Sequence, residues 1–218
     1  MLDVLKQITA SMTAPEQMFA ITETEVLGNK MKTWANVPRS MRDLWLSTNV
    51  HGERDCLVYE DERWTYNEAH EQVACIANWL VSQGITQHDR VAIAMRNYPE
   101  WLLCYWAIAA IGAVTVGVNA WWVAEELKYG LNDSEVKMLI CDAERLSRFS
   151  EIAKEFPKLP VVAVRMDETP KWAIPWRDVL KTEPSMPDVA IDPDDDVCIF
   201  YTSGTTGFPK GAQLTHRS

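Results

Sequence analysis

The chain has 218 residues, 47% hydrophobic and 24% charged, a balance that supports one large buried core or two small ones. Its formal net charge is −10 and no run of Lys or Arg interrupts the acidity, which excludes a nucleic-acid-binding surface and favours solubility. The five cysteines, at 56, 75, 104, 141 and 198, form an odd set without a close pair, and they read as small core residues of a reducing, cytoplasmic compartment.

Residues 1–40 are weakly patterned and are expected to form an irregular, helical lead-in. Asp3 and the lack of a long apolar core argue against a secretory signal. From 41 onwards the pattern sharpens. CLVYEDERWTY (56–66) predicts a hairpin, two short apolar arms around the charged turn Glu60-Asp61-Glu62-Arg63. Thr65 and Glu68 have capping-box spacing, a hydroxyl and a carboxylate each placed to satisfy a free backbone N–H at a helix start. The helix they open, 67–83, aligns Ala69, Val73, Ile76 and Leu80 on one face, and Gly84 ends it.

Then strands and helices alternate: RVAIAM (90–95), a helix at 99–111, AVTVGV (113–118), a short helix at 123–131, KMLICD (137–142), a helix at 143–155, and PVVAVR (160–165). Strands apolar throughout and separated by helices define an α/β fold, a multilayer, parallel-rich sheet with helices on both faces. The helix at 99–111 is apolar on nearly every side, which predicts burial between two layers. Residues 101–124 carry no charge and are long enough to span a bilayer, but Pro99, Gly112 and the β-branched run after it divide them into helix and strand, so no transmembrane segment is expected. The proline- and acid-rich stretch 166–195 predicts a surface excursion with one short helix near 176–181, and VCIFYTS (197–203) resumes the sheet.

That last strand runs into Thr202-Ser203-Gly204-Thr205-Thr206-Gly207-Phe208-Pro209-Lys210-Gly211. Glycines at 204, 207 and 211 allow positive φ and close approach of the backbone to a ligand. The hydroxyls of 202, 203, 205 and 206 supply donors without bulk, exposed N–H groups of such a turn form an anion nest, and Lys210 adds a mobile point charge. At the edge of an α/β sheet this chemistry fits a polyphosphate. A Walker loop is excluded because Lys210 is preceded by Pro209 and followed by Gly211, which also makes a kinase-like phosphotransferase remote. AQLTH after Gly211 alternates like a strand, so the loop is expected to join strand to strand.

YTSGTTGFPKGAQLTHR resembles the signature loop of the adenylate-forming superfamily: acyl-CoA synthetases, firefly luciferase and the adenylation domains of peptide synthetases. Residues 89–142 resemble the acyl-CoA synthetase branch, and the resemblance covers roughly 40–218. It implies that 41–218 is the first part of the AMP-binding N-terminal domain. It also implies that Thr202, Ser203, Gly204, Thr205, Thr206, Gly207 and Lys210 contact the phosphates of ATP, with Thr205 or Thr206 beside Mg2+. The implied reaction activates a carboxylic acid, a fatty acid in this branch, as an acyl-adenylate and passes it to coenzyme A. An aryl-CoA ligase, a peptide-synthetase-type adenylation domain and a non-catalytic ATP-binding protein are the alternatives. The superfamily's later motifs, including the lysine used for adenylation, have no counterpart in 1–218, so the domain is expected to be incomplete and this chain alone inactive, with no catalytic residue assigned.

Other residues carry duller expectations. Asp192, Asp194, Asp195 and Asp196 lack EF-hand spacing and read as a solvated turn. His216 has a capping or packing role as readily as a place near the nucleotide. His51, His70 and His88 lack metal-ligand partners. Trp121 and Trp122 fit the core or an acyl channel, and Cys198 reads as an inert buried thiol.

Overall fold

The computed structural model describes residues 1–26, 28–202 and 207–218, which form two compact units, Met1–Arg39 and Ser40–Ser218. The first holds helix α1 (Leu2–Met12) and an antiparallel hairpin, β1 (Ile21–Val26) paired with β2 (Asn29–Trp34). The hairpin corrects the expectation of a merely helical lead-in. Its strands alternate Thr, Glu and Lys and leave most side chains exposed, so they carry no apolar face that a pattern search could register.

In the second unit, α2 (Met41–Ser47) starts on Ser40, whose Oγ accepts from the Asp43 N–H at 3.1 Å. The hairpin β3 (Asp55–Tyr59) and β4 (Glu62–Thr65) follows as predicted. The capping box opens α3 (Tyr66–Ser82): the Thr65 N–H donates to Glu68 Oε2 at 2.8 Å and the Glu68 N–H to Thr65 Oγ1 at 3.2 Å. Gly84, at φ 83°, turns the chain into β5 (Arg90–Ala94). Next come α4 (Pro99–Ala110), β6 (Val114–Gly117), α5 (Ala124–Asp133), β7 (Met138–Asp142), α6 (Ala143–Ile152) and β8 (Val161–Val164). The acid- and proline-rich stretch contributes a two-residue strand, β9 (Ile174–Pro175), and α7 (Trp176–Val179) before β10 (Asp196–Thr202) and β11 (Lys210–Thr215).

The seven-stranded sheet runs β11-β10-β6-β5-β7-β8-β9, parallel except for β11. Strands β5, β7 and β8 divide their side chains between two cores. Val91, Ile93, Met138 and Ile140 face α3 and α4, while Ala92, Ala94, Leu139 and Cys141 face α5 and α6. This double burial is why these strands read as unbroken apolar runs. Helix α4 lies on the sheet and touches α2, α3 and β3, and Leu102 is its one exposed residue. No helix of the described residues is long and apolar enough to cross a membrane.

Polar anchors fix the periphery. Arg165, at φ 52°, forms a two-pronged ion pair with Glu62 (2.9 and 2.7 Å), reaches Glu100 at 2.9 Å and lies 5.0 Å from the rings of both Tyr59 and Tyr98. One guanidinium thus ties the β3–β4 hairpin to the start of α4, and its hydrogen bonds hold the Glu62 carboxyl below the usual range. The excursion is laced to α3 by Cys75 Sγ on the Thr182 carbonyl (3.0 Å) and by Asn78 on the Glu183 carbonyl (2.8 Å).

Thr115 in β6 is fully buried, and its Oγ1 has no hydrogen-bond partner among the described residues. A buried orphan hydroxyl costs about 1–3 kcal/mol, so the isosteric Thr115→Val is expected to raise stability by about 1 kcal/mol, read as a higher urea midpoint at unchanged slope. A lower midpoint would show that Oγ1 is paired.

Candidate functional site: the strand–loop–strand edge

Because β5, β6, β7, β8 and β10 run parallel, their C-terminal ends lie along one edge of the sheet, where open α/β folds bind ligands. The glycine loop leaves that edge at Thr202 and returns at Lys210. These two residues are register partners, with Thr202 Oγ1 3.4 Å from the Lys210 carbonyl oxygen that accepts from it. Ser203, Gly204, Thr205 and Thr206 lie outside the described residues. Gly207 adopts φ 108°, which only glycine takes without strain. Lys210 is exposed and forms no ion pair among the described residues. The structure therefore brings Thr202, Gly207 and Lys210 together as the two ends of one loop.

Gly211 differs from expectation. It is not at positive φ but inside β11, opposite Tyr201, where a Cβ would sit 2.8 Å from Ile199 Cγ2 and 3.5 Å from the Tyr201 ring. A side chain there would collide with Ile199, whereas the Tyr201 ring would be in ordinary contact.

Beside the loop opens a cavity of about 380 Å³ lined by residues that include Asn119, Trp121, Trp122, Glu126, Tyr201 and Thr202. The two tryptophans divide the roles considered for them: Trp122 is buried in the core, whereas Trp121 is 71% exposed on the cavity wall. The turn that carries them is pinned at two carbonyls, that of Trp122 accepting from Arg148 Nη1 at 2.9 Å. The Ala120 oxygen accepts from Arg145 Nε (2.8 Å) and Nη2 (2.6 Å) and from Arg148 Nη1 (2.8 Å). Arg145 is 2% exposed and balanced by Asp142 at 3.1 Å, and Arg96 lies 5.3 Å from the Trp121 ring.

Helix α5 borders the cavity at Glu126. Glu126 reaches back to the Val123 N–H (3.1 Å), and Asp133 accepts from the Tyr201 hydroxyl at 2.6 Å. Burial first, and then this bond, push the Tyr201 phenol well above its ordinary value, so it stays a donor. Trp122 meets Tyr201 edge-on at 5.2 Å, and Phe208 stacks on Tyr129 at 4.8 Å. Tyr129 and Asp133 were not singled out from the sequence; their one-turn spacing on a helix was the only local signal.

The remaining candidates are structural. Cys198 is buried, and burial followed by the Asp196 charge pushes its thiol up to about 11, which keeps it inert at neutral pH. The acidic turn is self-capped, the Asp194 N–H donating to Asp192 Oδ1 at 2.9 Å, and it holds Arg217 through Asp194 at 2.5 Å. The described residues contain no group of three His, Cys, Asp or Glu side chains able to hold a metal. His70 accepts or donates at Thr48 Oγ1 (2.9 Å) and stacks on Trp45 at 4.1 Å. His216 takes the packing role: its Nδ1 accepts from the Met41 N–H at 3.1 Å, fixing the start of α2 to the end of β11.

Comparison with known proteins matches this arrangement. The AMP-binding enzyme family profile covers residues 44–218. The chain belongs to that family. A 4-coumarate–CoA ligase of Oryza sativa subsp. japonica is 32% identical over 178 residues, covering 75% of this chain and 31% of that enzyme. A 3-hydroxybenzoate/4-hydroxybenzoate–CoA ligase of Thauera aromatica is 34% identical over 169 residues, 77% of this chain and 32% of the relative. The chain thus spans about a third of the length of these relatives. Among solved structures, an anthranilate–CoA ligase in complex with anthranoyl-AMP superposes with TM-score 0.79 at 22% identity over 84% of this chain and 36% of its own, a likeness of fold. A fatty acyl-CoA synthetase of Mycobacterium tuberculosis gives 0.67 at 26% identity over 82% of this chain and 35% of its own. The parallel-rich sheet with helices on both faces is therefore that of adenylate-forming N-terminal domains.

Burial holds the His216 imidazole below its ordinary value, despite the opposing charges of Asp195 and Asp43, and burial lowers His70 as well. A lowered histidine means that the unfolded chain binds more protons, so the contribution is complete above the unfolded pKa, about 6.5, and fades as pH falls below it. Urea stability should drop between pH 7.5 and 5.5, and His216→Gln should flatten that slope. An unchanged slope in the variant would contradict the assignment.

Proposed function

We propose that this chain is the nucleotide-gripping part of an ATP-dependent acid–CoA ligase. The observation that carries the reading is the antiparallel exit from a parallel sheet: Thr202 and Lys210 sit opposite one another at the ligand-binding edge, and between them runs a stretch rich in glycine and hydroxyl groups. On this reading Thr202, Ser203, Gly204, Thr205, Thr206, Gly207 and Lys210 hold the β- and γ-phosphates of ATP. A carboxylate oxygen of the substrate attacks the α-phosphorus, the bond to the β-phosphate oxygen breaks, and pyrophosphate leaves an acyl-adenylate. The thiol of coenzyme A then takes the acyl group as a thioester and releases AMP. The chain's part is alignment and charge stabilisation of the departing pyrophosphate.

Magnesium fits the donor set, because the hydroxyl oxygens of Thr205 and Thr206 are hard ligands of the kind the ion prefers. When bound it would neutralise charge on the triphosphate. The acid is proposed to be a fatty acid. An aromatic acid is the second reading, favoured by the names of the two plant and bacterial relatives at 32% and 34% identity. The five unbridged thiols, all buried but Cys56, support placement in a reducing cytoplasm.

A charge-assisted contact contributes about 1.5–3 kcal/mol, so Lys210→Met is expected to weaken binding of magnesium-ATP at least about tenfold in a fluorescence titration, with Lys210→Arg retaining part of the affinity. Equal affinity in Lys210→Met would remove the lysine from the site. Because this chain alone is expected to be inactive, ATP-dependent pyrophosphate release measured on an intact ligase that carries this segment, across a panel of fatty and aromatic acids, separates the two substrate readings.

A further inference from the structure

Helix α5 carries Glu126, Tyr129, Gly130 and Asp133, spaced at three, four and seven residues and therefore on one side of the helix, and Glu126 lines the cavity. Each end of the glycine loop meets this face. At the entry, the Tyr201 hydroxyl donates to Asp133 at 2.6 Å and approaches the Gly130 carbonyl at 3.3 Å. At the exit, Phe208, 69% exposed, lays its ring on Tyr129 at 4.8 Å and an interplanar angle of 25°. The close approach of α5 to Trp122 is built in: a Cβ on Gly130 would stand 2.4 Å from the Trp122 ring, which meets Tyr201 edge-on.

We propose that Tyr129 and Asp133 are positioning residues for the phosphate loop, a pair of α5 clamps that set the separation and tilt of its two arms. An exposed phenylalanine gains little by burial in this position, so the stack's effect is geometric: it fixes the peptide at Gly207-Phe208 at the exit of the loop. The Asp133 bond fixes the peptide at Tyr201-Thr202 in the same way. Neither residue touches the phosphates. Both act through Tyr201 and Phe208. The proposal rests on the triphosphate reading of the loop and adds residues about 70 positions upstream to it.

The test uses the purified chain with Tyr129→Ala, Tyr129→Phe and Tyr201→Phe, titrated with magnesium-ATP, inorganic tripolyphosphate and adenosine. Hydrogen exchange over 207–211 is measured without ligand. Loss of one aromatic pair corresponds to about a two- to twelvefold weakening. Tyr129→Ala should lose that factor for both ATP and tripolyphosphate but not for adenosine, and its 207–211 amides should exchange faster. Tyr129→Phe, which keeps the ring, should restore both. Tyr201→Phe should behave like Tyr129→Ala at unchanged thermal midpoint. Unaltered exchange in both Tyr129→Ala and Tyr201→Phe would overturn the clamp. If the wild-type chain binds neither ATP nor tripolyphosphate, the triphosphate reading fails, and the exchange measurement still decides whether α5 holds the loop.

Discussion

The site depends on one register: β10 pairs parallel with β6 on one side and antiparallel with β11 on the other. The parallel pairing carries the end of β10 to the C-terminal edge of the parallel strands. The antiparallel return makes the loop a closed connection with its ends opposite each other, at Thr202 and Lys210. A helix after the loop would present a fixed dipole to a phosphate, as in other phosphate-binding turns. Here a strand follows, and on the proposed reading Lys210 would supply the positive charge.

Holding that register takes anchors far from the loop. The turn at Asp192–Asp195 receives the end of β11, through Arg217 on Asp194 and the His216 N–H on the Asp195 carbonyl at 3.0 Å. His216 in turn accepts from the first residue of α2. At the ligand edge, Arg145 and Arg148 converge on the Ala120 carbonyl and stiffen the turn beside the cavity. Arg145 and Arg148 are buried or half-buried charges with several partners each, the situation in which ionic contacts specify geometry more than they add stability.

Much of the fold was legible because its signals are local. The strands at 90–94, 138–142 and 161–164 are buried on both faces and therefore apolar at every position, and Thr65 with Glu68 announces α3 in four residues. The loop was legible for the same reason, since its glycines, hydroxyls and lysine are contiguous. What the sequence hid is long-range or unpatterned. The hairpin at 21–34 has no apolar face, and β9 is two residues inside a proline-rich stretch. Gly211 looked like a turn glycine until its neighbour across the strand proved to be Tyr201. Tyr129 and Asp133 acquire meaning only when residues about 70 positions later come to rest on them. Adjacent tryptophans, one core and one cavity wall, could not be separated without knowing where the strand ends.

The central claim is that the edge bounded by Thr202, Gly207 and Lys210 grips a nucleotide triphosphate. Amide chemical-shift mapping of the isotopically labelled chain during titration with magnesium-ATP tests it most directly. The account predicts saturable shifts concentrated at 202–211 and at Asn119–Trp122 along the same edge. Shifts confined to the opposite edge, around Gly84, Lys137 and Lys158, or none at saturating nucleotide, would contradict it.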